Sequence, residues 1–181
     1  KGKMSSPRQI LSFLERFFKN KDYLKRKKIN AIVTSGPTNE YIDPVRYISN
    51  RSSGKQGHEI AKSLKKNGFE TTLVSGPTNL EPISGINQIN VNSAEEMFKA
   101  VLNCLPTDVA IFSAAVSDFK IKNKEKYKIK KKESMNLNLE RNIDILNHIS
   151  KHNLLRPKLV IGFAAETNNL NEHAKKKLTE K

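Results

Sequence analysis

Apolar positions in this chain fall into two kinds of group, short unbroken runs and stripes spaced three and four residues apart, and the two kinds alternate from end to end. The first stripe, in SSPRQILSFLERFFKN, places Ile10, Leu11, Leu14, Phe17 and Phe18 at helical spacing behind a Ser-Ser-Pro start signal. It predicts an amphipathic helix. Lys19 to Lys28 then reads as a solvated linker, and the run Ile29–Ser35 as a buried strand that ends in the turn Gly36-Pro37-Thr38, so the domain proper is expected to begin near residue 29. A long polar loop is expected to Ser53. A helix follows from Gly54 to Lys66 with Ile60, Ala61 and Leu64 inward, stopped by Asn67-Gly68.

Further runs predict strands over Thr71–Ser75, Ile86–Val91, Asp108–Ala115 and Leu159–Ala164. Between them, Ser93-Ala-Glu-Glu opens a helix with a capping box from Ser93 to Glu96, and helices are expected from about Ile143 to His152 and from Leu170 to Lys181. Lysine-dense sequence of extended character should fill the stretch to Leu139. The strand Asp108–Ala115 is apolar throughout, as a strand covered on both faces must be. Strands alternating with helices imply an α/β fold of three layers, a mainly parallel sheet with helices on both faces, and such sheets bind ligands at the carboxyl ends of their strands. No internal repeat is visible.

Composition narrows the class. At 181 residues, 36% hydrophobic and 28% charged, the chain is polar but has the apolar runs of a folded domain. No segment approaches the roughly 18 apolar residues of a membrane span and no signal peptide opens the sequence, so a soluble, cytoplasmic protein without a membrane partner is expected. Its single cysteine, Cys104, excludes an internal disulfide and a cysteine-based metal site. The net charge of +15 invites nucleic acid, but 26 of the 33 basic residues are lysine and 19 residues are asparagine. Arginine and aromatics are sparse and no recognition motif appears, so no nucleic-acid partner is expected.

Four segments could carry chemistry. Ser52-Ser53-Gly54-Lys55-Gln56-Gly57 lies where a loop enters a helix, a place that offers free N–H groups and partial positive charge to a phosphate, or it is an ordinary capped helix start. Lys120 to Lys132 holds eight lysines against Glu125 alone. Extended, the lysines at alternate positions would stack on one face about 7 Å apart, either in solvent or opposite a polyanion. Ala114-Ala115-Val116-Ser117-Asp118-Phe119 and Gly162-Phe163-Ala164-Ala165-Glu166-Thr167 bring small residues to strand ends, where a flat ligand can approach, and Asp118 could hold a magnesium ion or accept backbone bonds.

Taken together, TSGPTNEYIDPVRYISNRSSGKQG, LVSGPTNL, SAAVSDF, KIKK and IGFAAETNNLNEHAKKKL occur in the order found in phosphopantothenate–cysteine ligases, which the chain resembles from about residue 29 to its end. The resemblance implies a Rossmann-like fold with a lysine-rich flap and dimerisation segment. It implies that 4′-phosphopantothenate is joined to L-cysteine at the expense of CTP, more than ATP, with Mg2+, through an acyl-cytidylate. Asn50 matches the residue that holds the acyl-nucleotidylate carbonyl, Arg46 an arginine of the cysteine-transfer half, unless it only pairs with Asp43, and Lys128 the first lysine of the family's K-x-K-K flap motif. Phe112, Ser113, Ala114 and Asp118 match nucleotide-site positions, and so do Phe163, Lys177 and Lys181. Ile143, Asp144, Ile145 and Leu146 match an N-P-D-I segment, with Ile143 in place of proline.

Gly36, Ser52, Gly54 and Gly57 match phosphate-contacting positions. Residues 1–28 resemble the tail of a flavin-dependent decarboxylase that precedes the ligase in bacterial fusions, so FMN is expected only in that fused domain. Residues 29–181 would be the ligase domain, shortened at its C-terminus and a homodimer. A basic nucleic-acid-binding module and a non-catalytic partner of a flavin decarboxylase are the competing readings. Pyrophosphate release from CTP and phosphopantothenate separates them from the ligase.

Overall fold

The computed structural model describes residues 6–17, 28–131 and 134–163. Five parallel strands form the central sheet: β1 (Asn30–Ser35), β4 (Glu70–Ser75), β5 (Asn87–Asn90), β6 (Val109–Phe112) and β9 (Leu159–Gly162), in the order β5-β4-β1-β6-β9. Chain order reverses between β1 and β6, so the topological switch point lies there, as in Rossmann-like sheets. Two short antiparallel hairpins stand outside the sheet, β2 (Asn39–Tyr41) with β3 (Tyr47–Ser49) and β7 (Phe119–Ile121) with β8 (Leu139–Arg141).

Helices cover both faces: α1 (Pro7–Phe17) and α2 (Lys55–Lys66) on one, α3 (Ala94–Asn103) and α4 (Ile145–Ser150) on the other. Strand side chains alternate between faces, so β1 sends Ala31 and Val33 into the cluster with Ile10, Leu14, Ile60, Ala61 and Leu64, and Ile32 into the cluster with Met97, Val101, Ile145 and Ile149. Strand β6 divides in the same way, Val109 and Ile111 against Ala110 and Phe112. Each of the larger ones, Val, Leu, Ile, Met or Phe, contributes about 1.5–3 kcal/mol when fully buried over an exposed one. The continuous apolar runs read as two-sided strands are therefore covered on both sides. Helix α1, upstream of the expected domain start, buries Ile10 and Leu14 against α2 within this same core.

Several boundaries move for local reasons. The strand expected over Asp108–Ala115 ends at Phe112, because Ser113 Oγ donates to the Thr34 carbonyl at 2.6 Å and Ala114 N–H to Thr34 Oγ1 at 3.3 Å in place of ladder bonds. The helix expected from Ile143 begins at Ile145, since Asp144 Oδ1 caps it by accepting the Asn147 N–H at 2.9 Å, and it ends at Ser150. Ser93 caps α3 as expected, accepting from Glu96 N–H, but Glu96 returns its bond to Asn92 N–H and the buried Glu40 takes Ala94 N–H. The polar loop before Ser53 contains the hairpin β2–β3. Among the described residues the extended lysine ladder is not formed, for only Lys120 of the segment lies in a strand, where it pairs with Glu140, and Lys122 to Lys131 follow turns and irregular chain. Regular stacking of like charges is unfavourable, and the turns avoid it.

Candidate functional site at the sheet switch point

The chain leaves β1 through Ser35 and Gly36, whose φ of +76° suits glycine. It then lies beside the segment leaving β6: Ala115 N–H donates to the Gly36 carbonyl at 2.8 Å and Ser117 N–H to Thr38 Oγ1 at 3.0 Å. These bonds open a cleft of about 640 Å³ at the carboxyl ends of β1, β6 and β9. The cleft draws on sequence-distant positions singled out above: Phe112, Ala114, Asp118, Phe163 and the run Ile143 to Leu146. Ser113, between Phe112 and Ala114 in sequence, does not line the cleft, because its hydroxyl is turned back to the Thr34 carbonyl of β1. The Asp118 carboxylate is exposed and makes no hydrogen bond or ion pair among the described residues, while its carbonyl accepts Asn142 N–H at 2.8 Å. Lys177 and Lys181, like Ala164 to Thr167, lie outside the described residues.

Asn50, on the loop after β3, is bonded to one wall of the cleft from outside its lining. Its Nδ2 donates to the carbonyls of Ala115 at 3.3 Å and Val116 at 3.1 Å, which ties the β3 loop to the wall of the cleft. Arg46 does pair with Asp43, at 3.1 Å, and it also donates to the Ile129 carbonyl at 2.5 Å. Asp43 is buried and completes the joint by accepting Ile129 N–H at 3.1 Å together with the N–H groups of Val45 and Arg46 at 2.8 Å. Burial opposes ionisation of Asp43, but the backbone N–H groups of Ile129, Val45 and Arg46, with the Arg46 guanidinium, outweigh it and hold the carboxyl below its ordinary value. Lys128 is exposed and adjacent to this joint, so Lys128 and Arg46 are brought together through Ile129.

The Ser52–Gly57 segment forms the N-terminus of α2. Gly54 is its N-cap at φ +71°, with no side-chain cap of its own; Ser52 Oγ accepts Gly54 N–H at 3.3 Å and Ser53 Oγ accepts Lys55 N–H at 3.5 Å. Ser35 Oγ donates to the Gly54 carbonyl at 2.7 Å. A Cβ on Gly57 would lie 2.6 Å from Ser35 Cβ and 2.7 Å from Ser113 Oγ, so this glycine allows the helix to approach both central strands.

Sequence reasoning overlooked the hydroxyls of Thr34, Ser35 and Thr38 and the side chain of His58. It also overlooked a signal that was present: Ser-Gly-Pro-Thr-Asn occurs twice, at 35–39 and 75–79. The register pairs Ser35 with Ser75, so two turns of identical sequence leave adjacent strands side by side, although only Gly36 of the two glycines has a positive φ. Gly76 N–H donates to the Ser35 carbonyl at 2.9 Å, and a Cβ on Gly76 would lie 1.7 Å from the Pro37 carbonyl oxygen.

A parallel α/β sheet with a cleft at its switch point and a glycine-bearing helix start beside it defines a doubly wound, ligand-binding class of domain. The chain belongs to the family described as DNA/pantothenate metabolism flavoprotein C-terminal domain, whose model matches residues 25–181. Its relatives include the coenzyme A biosynthesis bifunctional proteins CoaBC of Haemophilus influenzae, 43% identical over 100% of this chain and 45% of that protein, and of Escherichia coli K12, 37% identical over 97% and 44%. The chain thus spans less than half the length of these relatives. Among solved structures, the C-terminal domain of a CoaBC is 41% identical with a TM-score of 0.74, covering 84% of this chain and 72% of that one. A DNA/pantothenate metabolism flavoprotein from Streptococcus pneumoniae, 24% identical with a TM-score of 0.70 over 85% and 78%, shares the fold. Among the described residues no helix is long and apolar enough to cross a membrane.

Proposed function

We propose that this domain ligates 4′-phosphopantothenate to L-cysteine in coenzyme A biosynthesis, with CTP as the activating nucleotide. The observation that carries the reading is the cleft at the switch point, where Phe112, Ala114, Asp118, Ile143 to Leu146 and Phe163 converge and Asn50 is bonded to the rim. A carboxylate is a poor electrophile. In the first half-reaction its oxygen attacks the α-phosphorus of CTP, the bond to the β-phosphate breaks and pyrophosphate leaves. In the second the cysteine amine attacks the acyl carbon, CMP departs with the bonding pair and the amine loses a proton.

Within that scheme the cleft residues receive base and ribose, and Ser52, Gly54 and Gly57, with Gly36, receive a substrate phosphate at the N-terminus of α2. Lys128 neutralises charge at the α-phosphate as pyrophosphate leaves, Asn50 Nδ2 exchanges one of its two carbonyl partners, Ala115 or Val116, for the acyl oxygen, and Arg46 serves cysteine transfer. A magnesium ion fits Asp118, since an exposed carboxylate at the rim, with no group of three metal-ligating side chains among the described residues, suits an ion shared with substrate phosphates. Bound there, the ion would neutralise phosphate charge. The fused decarboxylase domain, with its FMN, and the homodimer belong to the same proposal. Exposed Val45, Tyr47, Phe119, Tyr127, Met135 and Leu139 on and around the two hairpins provide apolar area for a second copy.

The test is pyrophosphate release from CTP and phosphopantothenate without cysteine, followed by amide formation when cysteine is added. No release, with the folded chain and magnesium present, would sink the reading.

A further inference from the structure

We infer that His58 is a positioning residue that holds the second Ser-Gly-Pro-Thr-Asn turn as the far wall of the cleft at the α2 N-terminus. The inference rests on the proposal that this helix start receives a substrate phosphate. His58 lies on α2, one turn beyond Gly54, and is 4% exposed. Its Nε2 stands 2.8 Å from the Glu81 carbonyl oxygen. A carbonyl only accepts, so Nε2 carries the proton and donates. Its Nδ1 is buried without a hydrogen-bond partner among the described residues. Leaving a ring nitrogen desolvated and unpaired is a cost that a phenylalanine or leucine here would not incur, so packing alone does not account for an imidazole. The bond to Glu81 does.

That bond fastens the far end of the loop leaving β4. Its near end is fastened by Gly76 N–H on the Ser35 carbonyl. Between the two ties, Thr78 packs its methyl against Gly36 and Gly54, where added Cβ atoms would lie 2.9 and 2.6 Å from Thr78 Cγ2. The loop thereby becomes one wall of a second cleft, of about 590 Å³, with Pro77 to Leu80 facing Ser49, Ser52, Ser53 and Lys55. Without the His58 tie the segment from Pro77 to Glu81 would keep only Gly76 N–H before it, the Thr78 packing within it and the exposed Lys65 Nζ bond to the Ser84 carbonyl at 2.9 Å beyond it, and the helix start would lose a firm cover while its own N–H groups stayed in place. His58 therefore acts on the binding of the phosphorylated acid and not on the chemical step.

The test compares the full chain with His58→Phe, His58→Asn and His58→Gln. A glutamine amide reaches the position of Nε2, whereas an asparagine amide stops near that of Nδ1. Amide exchange read by mass spectrometry over residues 76–81 should quicken roughly fivefold in the Phe and Asn variants, while residues 30–35 stay protected and Gln restores the wild-type rate. In the same variants KM for 4′-phosphopantothenate should rise about three- to tenfold with kcat held within about twofold, again restored by Gln. If the Phe variant does not fold, the Asn and Gln pair decides. Equal behaviour of Asn and Gln, or a loosened loop with an unchanged KM, overturns the inference. A wild-type chain that shows no turnover would overturn the functional proposal alone, and the exchange arm would still decide whether His58 holds the loop.

Discussion

Asn50, Arg46 and Lys128 are separated by up to 82 positions, yet Asn50 bonds the wall of the cleft while Arg46 and the neighbour of Lys128 share the buried carboxylate of Asp43. The exposed Lys128 side chain makes no hydrogen bond or ion pair among the described residues, so its removal should spare the fold. Lys128→Gln is expected to slow pyrophosphate release by about 100- to 1000-fold, the equivalent of losing roughly 2.7–4 kcal/mol of transition-state stabilisation, with an unchanged melting temperature. A variant that releases pyrophosphate at the wild-type rate would remove Lys128 from the mechanism. Asp43 gives a prediction in pH. Because its folded carboxyl lies below the ordinary value of about 3.9, the tether it provides is complete above that value and is lost as pH falls through the lower, folded one. The Ile129 amide resonance should therefore shift with an apparent pKa below about 3.9 in an NMR titration, and an Ile129 signal that moves instead near neutral pH would contradict the assignment.

At the scale of elements, α2 anchors the second cleft because it joins the core by Ile60, Ala61 and Leu64 and presents its N-terminus there. Gly57 sets how close it comes. Gly57→Ala places a methyl within 2.7 Å of Ser35 and Ser113, and neither backbone-anchored neighbour can swing away. We expect a loss of about 1–3 kcal/mol in denaturant unfolding, the usual cost of overpacking, together with weaker binding of 4′-phosphopantothenate by calorimetry. Full stability in the variant would mean that the helix rides further from β1 than its contacts indicate. The lysine segment follows the opposite logic. Its sequence suggested a ladder, but backbone ties from Glu125 N–H to Ile42 and from Ile129 to Asp43 and Arg46 fix it as an irregular strap along the β2–β3 turn.

On the scale of the whole molecule, hairpins β2–β3 and β7–β8 lie next to one another outside the sheet and carry large exposed apolar side chains. Sedimentation at micromolar concentration should give the mass of a dimer, and Leu139→Asp should shift the distribution toward monomer. A wild-type chain that sediments as a monomer would leave this surface to another partner.

The layered α/β architecture was legible in the sequence because its signals are local: alternating runs and stripes, the Ser93 cap, and the Asn67-Gly68 stop each act within a few residues. Their order along the chain was enough to imply a parallel sheet and to direct attention to the strand ends. The candidate cleft residues were reached through motifs, which carry spacing but not distance. Which of them meet was decided by the crossovers that bring β1 between β4 and β6. Bonds such as Asn50 to Ala115, Asp43 to Ile129 and His58 to Glu81 link positions whose local sequence is indifferent to the partner. A polar side chain in a loop reads the same whether it faces water or a buried carbonyl, and only the packing of one strand end against the next removes the water and makes the difference.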